Sequence, residues 1–521
     1  MNKSLLAKGI CVFILCVTIT SVAVAELQSV SVGGELRIRG RWYINTFAPR
    51  TERIPPAFIP KRPVGGNRIS SIYKWDDQGS DWTRYETSVL LNFKADFTDN
   101  VSAFIEFYDW HIWGEDFRSR DYVTGVDTRA NSNDDVEIEQ AYVEVRELFG
   151  SPLTLRVGRQ DLIMGKGWLV TNMLTPSQYS SYDAIRLTYK QGDWTVDAFA
   201  SKVNDRFQIE QDGDIDFYGI YGTYAGWKPL TVSAYWYFLR DGLSPHDTTG
   251  NPIMEFAEDI VGRDDYGVTK LHTVGVRAFG KSTGFDYDLE LAYQFGDADS
   301  LGATFKPIGG FLYGDDSAHW GDLGAELTVG YTFEDIKWTP RIYTLGVYFQ
   351  GHDNRSIDFW DWLNPFYEPE ASHSFNRLFS DKNYLPTVND NGWLSNYWQV
   401  QLGFEVKPTD KILVHVHGAY DGIVSPFDPP KTFKVLGRKF YAAPLLSFWT
   451  DEGESDIGWE IAAWIRYNYS KDLWFMLYGN YLFVGDGLAQ GAYIQGNGTD
   501  FSGGSDNNDA GYIFWMTVLK F

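Results

Sequence analysis

The segment Leu36-Arg-Ile-Arg-Gly-Arg-Trp-Tyr-Ile44 places arginine at every second position. In an extended chain successive side chains point to opposite faces, so Arg37, Arg39 and Arg41 share one face with Tyr43 and Asn45. Leu36, Ile38, Gly40, Trp42 and Ile44 share the other. Guanidinium groups repeated along one face of a strand suit water, carboxylates and other anions, not an apolar core. The same division in other segments puts Arg84, Lys94, Arg146, Arg156, Arg186, Lys190, Arg277, Lys407, Arg466 and Lys520 on polar faces. Carboxylates take the same faces at Glu35, Glu86, Asp96, Glu106, Glu144, Asp197, Asp288, Glu290, Asp322, Glu326, Glu405 and Glu460. The two signs nearly balance.

Other reactive groupings are thin. His415 and His417 share a strand face and could seat a metal, but no third ligand is evident, which favours a polar pair. Asp212-Gly-Asp214-Ile-Asp216 falls short of the full calcium-loop pattern and reads as a solvated loop. There is no Gly-x-Ser-x-Gly elbow, phosphate loop or nucleotide fingerprint. No catalytic residue, metal site or cofactor is assigned, and the chain is read as a non-enzyme.

The elements carrying these faces must be numerous. The 521 residues include 20 Trp, 32 Tyr and 35 Phe, together 17% aromatic, with 51 Gly and a formal net charge of −24. An acidic chain of this kind is a poor nucleic-acid ligand. Its aromatic content argues against disorder, and no long apolar run beyond the start supports a helical membrane bundle. Residues 1–25 read as an export signal: Lys3 and Lys8, a short apolar stretch, then Ala23-Val24-Ala25, with cleavage expected before Glu26. An uncleaved anchor fits less well because the apolar core is short. Both cysteines, Cys11 and Cys16, fall in this segment, so residues 26–521 would carry neither disulfide nor thiolate metal site.

Period-two alternation marks eighteen segments: 31–47, 82–97, 100–113, 135–149, 152–160, 181–190, 193–203, 215–226, 228–240, 269–280, 284–296, 321–333, 337–350, 394–407, 410–422, 457–469, 472–485 and 508–521. Short turns alternate with long connections throughout. This is the rhythm of an all-β, transmembrane, antiparallel up-and-down barrel, with tight periplasmic turns and long extracellular loops. Residues 26–521 then form one domain in a Gram-negative-type cell outer membrane, surrounded by lipid. Closure pairs the first strand with the last and leaves no open edge in the lipid. The terminal strand ends at Phe521, a signal of the sort read by outer-membrane assembly machinery.

Further motifs carry a family resemblance. Residues 155–170 read Leu-Arg-Val-Gly-Arg-Gln-Asp-Leu-Ile-Met-Gly-Lys-Gly-Trp-Leu-Val, followed by Tyr182-Asp-Ala-Ile-Arg-Leu. Glu290-Leu-Ala-Tyr-Gln-Phe-Gly-Asp297, Gly330-Tyr-Thr-Phe333, Pro340-Arg341, His352-Asp353, Phe375-Asn-Arg-Leu-Phe379 and Asp456-Ile-Gly-Trp-Glu460 follow in order. Together they resemble the alginate export family of outer-membrane porins. That resemblance implies an eighteen-stranded barrel, passive export of an anionic polysaccharide through an arginine-rich pore, and pore or pore-mouth roles for Arg159, Arg186, Arg341 and Glu460.

The expected solute path is therefore lined by Arg37, Arg39, Arg41, Arg84, Arg156, Arg159, Arg186, Arg277, Glu290, Arg341, Glu460 and Arg466. Most basic groups fall in the first six strands, whereas Asp288, Glu290, Asp322, Glu326 and Glu405 fall on strands eleven to fourteen. Either the two groups face each other and set up a transverse field, or the charges pair locally. Loop 351–393, with Trp360, Trp362, Phe366 and Tyr367, either folds inward or caps the mouth. The expected function is passive passage of a polar solute, anionic or carbohydrate. The alternatives are a general small-solute porin and a scaffold barrel around a periplasmic partner. A secreted soluble enzyme acting on glycans is a further reading. The acidic long connections weigh against a polyanion unless divalent cations bridge them.

Overall fold

A computed structural model describes residues 26–46, 80–97, 100–113, 133–175, 178–204, 214–242, 268–298, 303–306, 310–313, 318–351, 360, 374–388, 394–426, 432–435, 438–441, 453–489, 494–495, 500–501 and 509–521. The expected cleavage signal, Asp212, Trp362, Phe366, Tyr367 and the His352-Asp353 pair lie outside the described residues.

Eighteen antiparallel strands form one sheet. They are β1 Leu27–Thr46, β2 Ser80–Phe97, β3 Val101–Ile112, β4 Asn133–Val145, β5 Leu153–Gln160 and β6 Tyr182–Gln191. Next come β7 Trp194–Asn204, β8 Ile215–Trp227, β9 Leu230–Asp241, β10 Thr269–Ser282, β11 Phe285–Ala298 and β12 Ala318–Thr332. The last six are β13 Arg341–Phe349, β14 Tyr397–Thr409, β15 Ile412–Ile423, β16 Asp456–Asn468, β17 Leu473–Val484 and β18 Ala510–Lys520. Each pairs with its neighbour in sequence, and β1 pairs with β18 from Glu35↔Lys520 to Ile44↔Gly511. The seam is reinforced by Gly34 and Phe521, whose backbone groups exchange hydrogen bonds at 2.9 and 3.1 Å. Every expected segment coincides with one of these strands.

Boundaries shift by up to four residues, most at the starts of β1 and β13 and the end of β4. β1 starts at Leu27 because it keeps pairing with β2, down to Leu27↔Phe97, beyond the point where β18 stops. β4 ends at Val145, since Glu147 and Phe149 adopt left-handed backbone conformations and the chain turns there into a short 3-10 segment.

Alternation sorts the side chains by environment. On β14, Val400 and Leu402 are exposed on the outer face while Tyr397, Gln399 and Gln401 are buried on the inner one. On β8, Ile220 is exposed and Phe217 and Tyr221 are buried. An outer apolar surface this large is stable only against lipid, and the closed sheet pairs each strand with a neighbour on both sides.

The interior is not simply water-filled. Residues 161–172, after β5, fold inward and bury Leu162, Met164, Trp168, Leu169 and Val170. Residues 374–388 fold in to meet them, burying Phe375, Tyr384 and Leu385. A parallel bridge joins Val170 to Phe379. Trp168 stacks on Phe349 and Phe375 at 5.9 and 6.2 Å between ring centres. Among the described residues of loop 351–393, 374–388 pack inward, whereas Trp360 is 72% exposed.

Candidate functional site

The inner wall is a register of charge pairs. Arg37 bonds Glu35 at 2.6 Å, and Arg39 and Arg41 both bond Glu86, the latter at 2.9 Å. Arg156 bonds Glu144 at 2.6 Å, its guanidinium 4.2 Å from the Tyr142 ring centre. Arg84 lies over the Trp110 ring at 5.9 Å. Arg186 bonds Asp197 at 2.8 Å and Arg277 bonds Asp288 at 2.6 Å. Arg466 donates to Asn468 at 3.0 Å and covers the Trp474 ring at 4.3 Å. These charges pair with neighbours on their own or adjacent strands, so local pairing, not a bare field across the lumen, is the arrangement found.

The acidic wall has a second partner. Glu290 and Glu326 are directly opposite on β11 and β12. Like charges in that position repel. Lys166 enters from the inward loop and places its ammonium 2.8 Å from Glu326, 3.2 Å from Asp288 and 3.5 Å from Glu290. Tyr384, from the other inward segment, donates to Glu326 as well. The carboxylates therefore anchor the two loops. Burial by itself would lower the Lys166 pKa, but Glu326 and Glu290 outweigh it and raise the value, which keeps the ammonium charged.

Local sequence explains how Lys166 gets there. Gly165 and Gly167 have φ of +59° and +72°. A β-carbon on Gly165 would lie 2.4 Å from the Tyr221 hydroxyl. Only glycine accommodates both the left-handed backbone and that approach. The turn closes with the Gly167 amide donating to the Met164 carbonyl at 2.9 Å.

A polar chain crosses the wall on β11 and β13–β16. Arg341 binds Asp286 at 2.5 Å and Glu405 at 3.3 Å. Glu405 meets His415 Nδ1 at 3.3 Å, His415 Nε2 meets His417 Nδ1 at 2.9 Å, and His417 Nε2 meets Glu460 at 3.2 Å. All four histidine ring nitrogens are thereby engaged with protein groups. Asp214 and Asp216, from the expected solvated loop and the strand after it, pair with Lys202 at 2.8 and 2.6 Å.

One expected pore residue is misplaced. Arg159 shares a face with Val157, which is 43% exposed on the lipid side, and meets Asp183 at 3.7 Å. It stands three residues after inward-facing Arg156, and an odd offset turns a side chain to the other face.

Sequence reasoning missed Lys166, Trp168, Arg377 and Tyr384 because loops carry no periodicity. The signals that existed were Gly165-Lys-Gly-Trp168 and Phe375-Asn-Arg-Leu-Phe379. Arg377 is fully buried, donates to Ser380 Oγ at 3.1 Å and to the Lys382 carbonyl, and lies 5.0 Å from the ring centres of both Phe349 and Tyr384.

No curated protein matches the chain. Among solved structures it is similar to Pseudomonas aeruginosa OccK8 (OprE), with a TM-score of 0.46 and 12% identity over 94% of this chain and 98% of that one. It is also similar to P. aeruginosa OccK11 (OpdR), with a TM-score of 0.45 and 9% identity over 94% and 96%. An anion-selective porin from Comamonas acidovorans aligns with a TM-score of 0.40 and 10% identity over 95% and 99%. A family model described as alginate export matches residues 78–490, which is most of the chain. The chain belongs to the alginate export family.

Proposed function

We propose that this outer-membrane porin passes a polar, anionic or carbohydrate solute along an off-centre path beside the inward loops. The observation that carries the reading is the asymmetry of the apolar cluster. Among the described residues its members come from the two inward segments and from β6 onward, and none comes from β1–β5. The path then runs along the β1–β5 wall, past Arg37, Arg39, Arg41, Arg84 and Arg156. Two arginines sharing the single carboxylate of Glu86 give that stretch a positive bias, which favours carboxylate-bearing solutes. Arg186, Arg277, Glu290, Arg341, Glu460 and Arg466 occupy the remaining wall, where they brace the loops and the polar chain. Arg159 has no part in the path. The exposed ring of Phe521 at the end of β18 supports the reading as an assembly signal.

The test is reversal potential in a salt gradient across a planar bilayer. Changing Arg37, Arg39 and Arg41 together to Ser shifts selectivity toward cations, while heat-dependent gel migration confirms a folded barrel. Folded triple mutant with unaltered selectivity sinks the proposal. Liposome swelling with neutral and anionic sugars ranks the solutes, and a silent protein in both assays favours a scaffold role.

A further inference from the structure

The lipid-facing surface carries a charged row that transport does not use. Arg159, Asp183, Lys202, Asp216, Arg240 and Lys270 are successive cross-strand partners from β5 to β10. Their same-face neighbours along the strands include Val157 and Ile185, 43% and 53% exposed, so the row points away from the lumen. Arg159 meets Asp183 at 3.7 Å, Lys202 meets Asp216 at 2.6 Å and Arg240 meets Asp216 at 3.7 Å.

Height on the barrel is fixed by the row beneath. Two residues nearer mid-strand, Tyr218, Phe238, His272 and Phe295 face one another across β8–β11. Their rings follow at 6.0, 4.5 and 5.1 Å. An outward aromatic row of this kind marks the boundary between hydrocarbon and headgroups. The charged row lies about 7 Å beyond it, on the long-loop side, at the level of headgroups. On β15–β17 the outer row is aromatic instead: Tyr420, Trp459 and Phe483 are successive partners.

Arg240 and Lys270 sit directly opposite each other. Two cations in that position repel, Asp216 offsets part of that cost from the Arg240 side, and an anion placed between them lowers it further.

We propose that this arc binds a phosphate-bearing lipid of the outer leaflet, its phosphates held by Lys202, Arg240 and Lys270 and its acyl chains lying on the aromatic and aliphatic face below. Native mass spectrometry of the full-length protein in detergent tests this, with three ligands: a bisphosphorylated acyl glycolipid, the same glycolipid dephosphorylated, and inorganic phosphate. The phosphorylated lipid is expected to bind about a hundredfold more tightly than its dephosphorylated form, at roughly fivefold per cation. The triple variant K202Q/R240Q/K270Q is expected to lose that preference and to keep wild-type gel migration and ion selectivity. A folded variant that still prefers the phosphorylated lipid overturns the proposal. So does inorganic phosphate binding as tightly as the lipid, or a wild-type oligomer that the variant dissociates, which would make the arc an interface between copies.

Discussion

Changing Lys166 to Met separates the two forces that hold the inward loop. The ammonium sits 2.8 to 3.5 Å from three carboxylates and its side chain is 15% exposed, while those of Glu290 and Glu326 are 4% and 9% exposed. Removing one partner of a buried ion pair costs about 3–5 kcal/mol. Arg277 still holds Asp288 at 2.6 Å, which brings the expected cost to the lower end of that range or just below it, about 2–3 kcal/mol. The loop also buries five large apolar side chains, at about 1.5–3 kcal/mol each as an upper bound. Burial is the larger contribution, so the variant loop stays docked most of the time and opens more often. A change of 2–3 kcal/mol is roughly a 30- to 150-fold rise in the open population. Hydrogen exchange reads this directly. The amides of Met164, Gly167 and Thr171 donate to Val170, Met164 and Phe379 carbonyls at 3.1, 2.9 and 3.2 Å. Their exchange is expected to accelerate by that factor while ladder amides of β11 and β12 stay unchanged. Adding Glu326→Gln, which relieves the carboxylate repulsion, is expected to restore about a tenfold part of the protection. If the three amides exchange at the wild-type rate in the Lys166→Met protein, the latch contributes nothing and the anchoring argument fails.

Other predictions follow from the same loop. Trp168→Ala removes a fully buried ring stacked against Phe349 and Phe375. It is expected to cost the docked loop about 3–5 kcal/mol and to raise single-channel conductance, measured in a planar bilayer. Asp161, at the start of the loop, accepts a hydrogen bond from Asn172 at 2.7 Å. Burial pushes its carboxyl up from 3.8 to about 6. A carboxyl raised in the docked state favours docking most below its ordinary pKa, and that contribution is lost as pH rises through about 6. Loop opening, taken from exchange rates corrected for intrinsic pH dependence, is expected to increase across that window. Asp161→Asn is expected to abolish the increase, and a pH-independent wild type would contradict it.

The barrel was legible in the chain because its cause is local. A strand in contact with lipid on one side and polar groups on the other must alternate, and eighteen such segments with short and long connections leave closure as the way to pair every edge. Parity also assigned Arg39, Arg41, Glu86 and Glu460 to the inner face, where they are buried among polar partners. Arg159, three residues from Arg156, follows its own parity to the outer face and not the pore role that the family motif implies. Only the tertiary structure decided what fills the lumen. Residues 161–172 and 374–388 come from different connections, and no local period reveals that Trp168 and Phe375 stack or that Lys166 reaches β11 and β12. Those contacts depend on the width of the closed sheet and on which strands face each other across it. The same dependence settles the arginine and carboxylate faces. Sequence gives their sides of the sheet, but the distance to the nearest opposite charge exists only once the strands are in register.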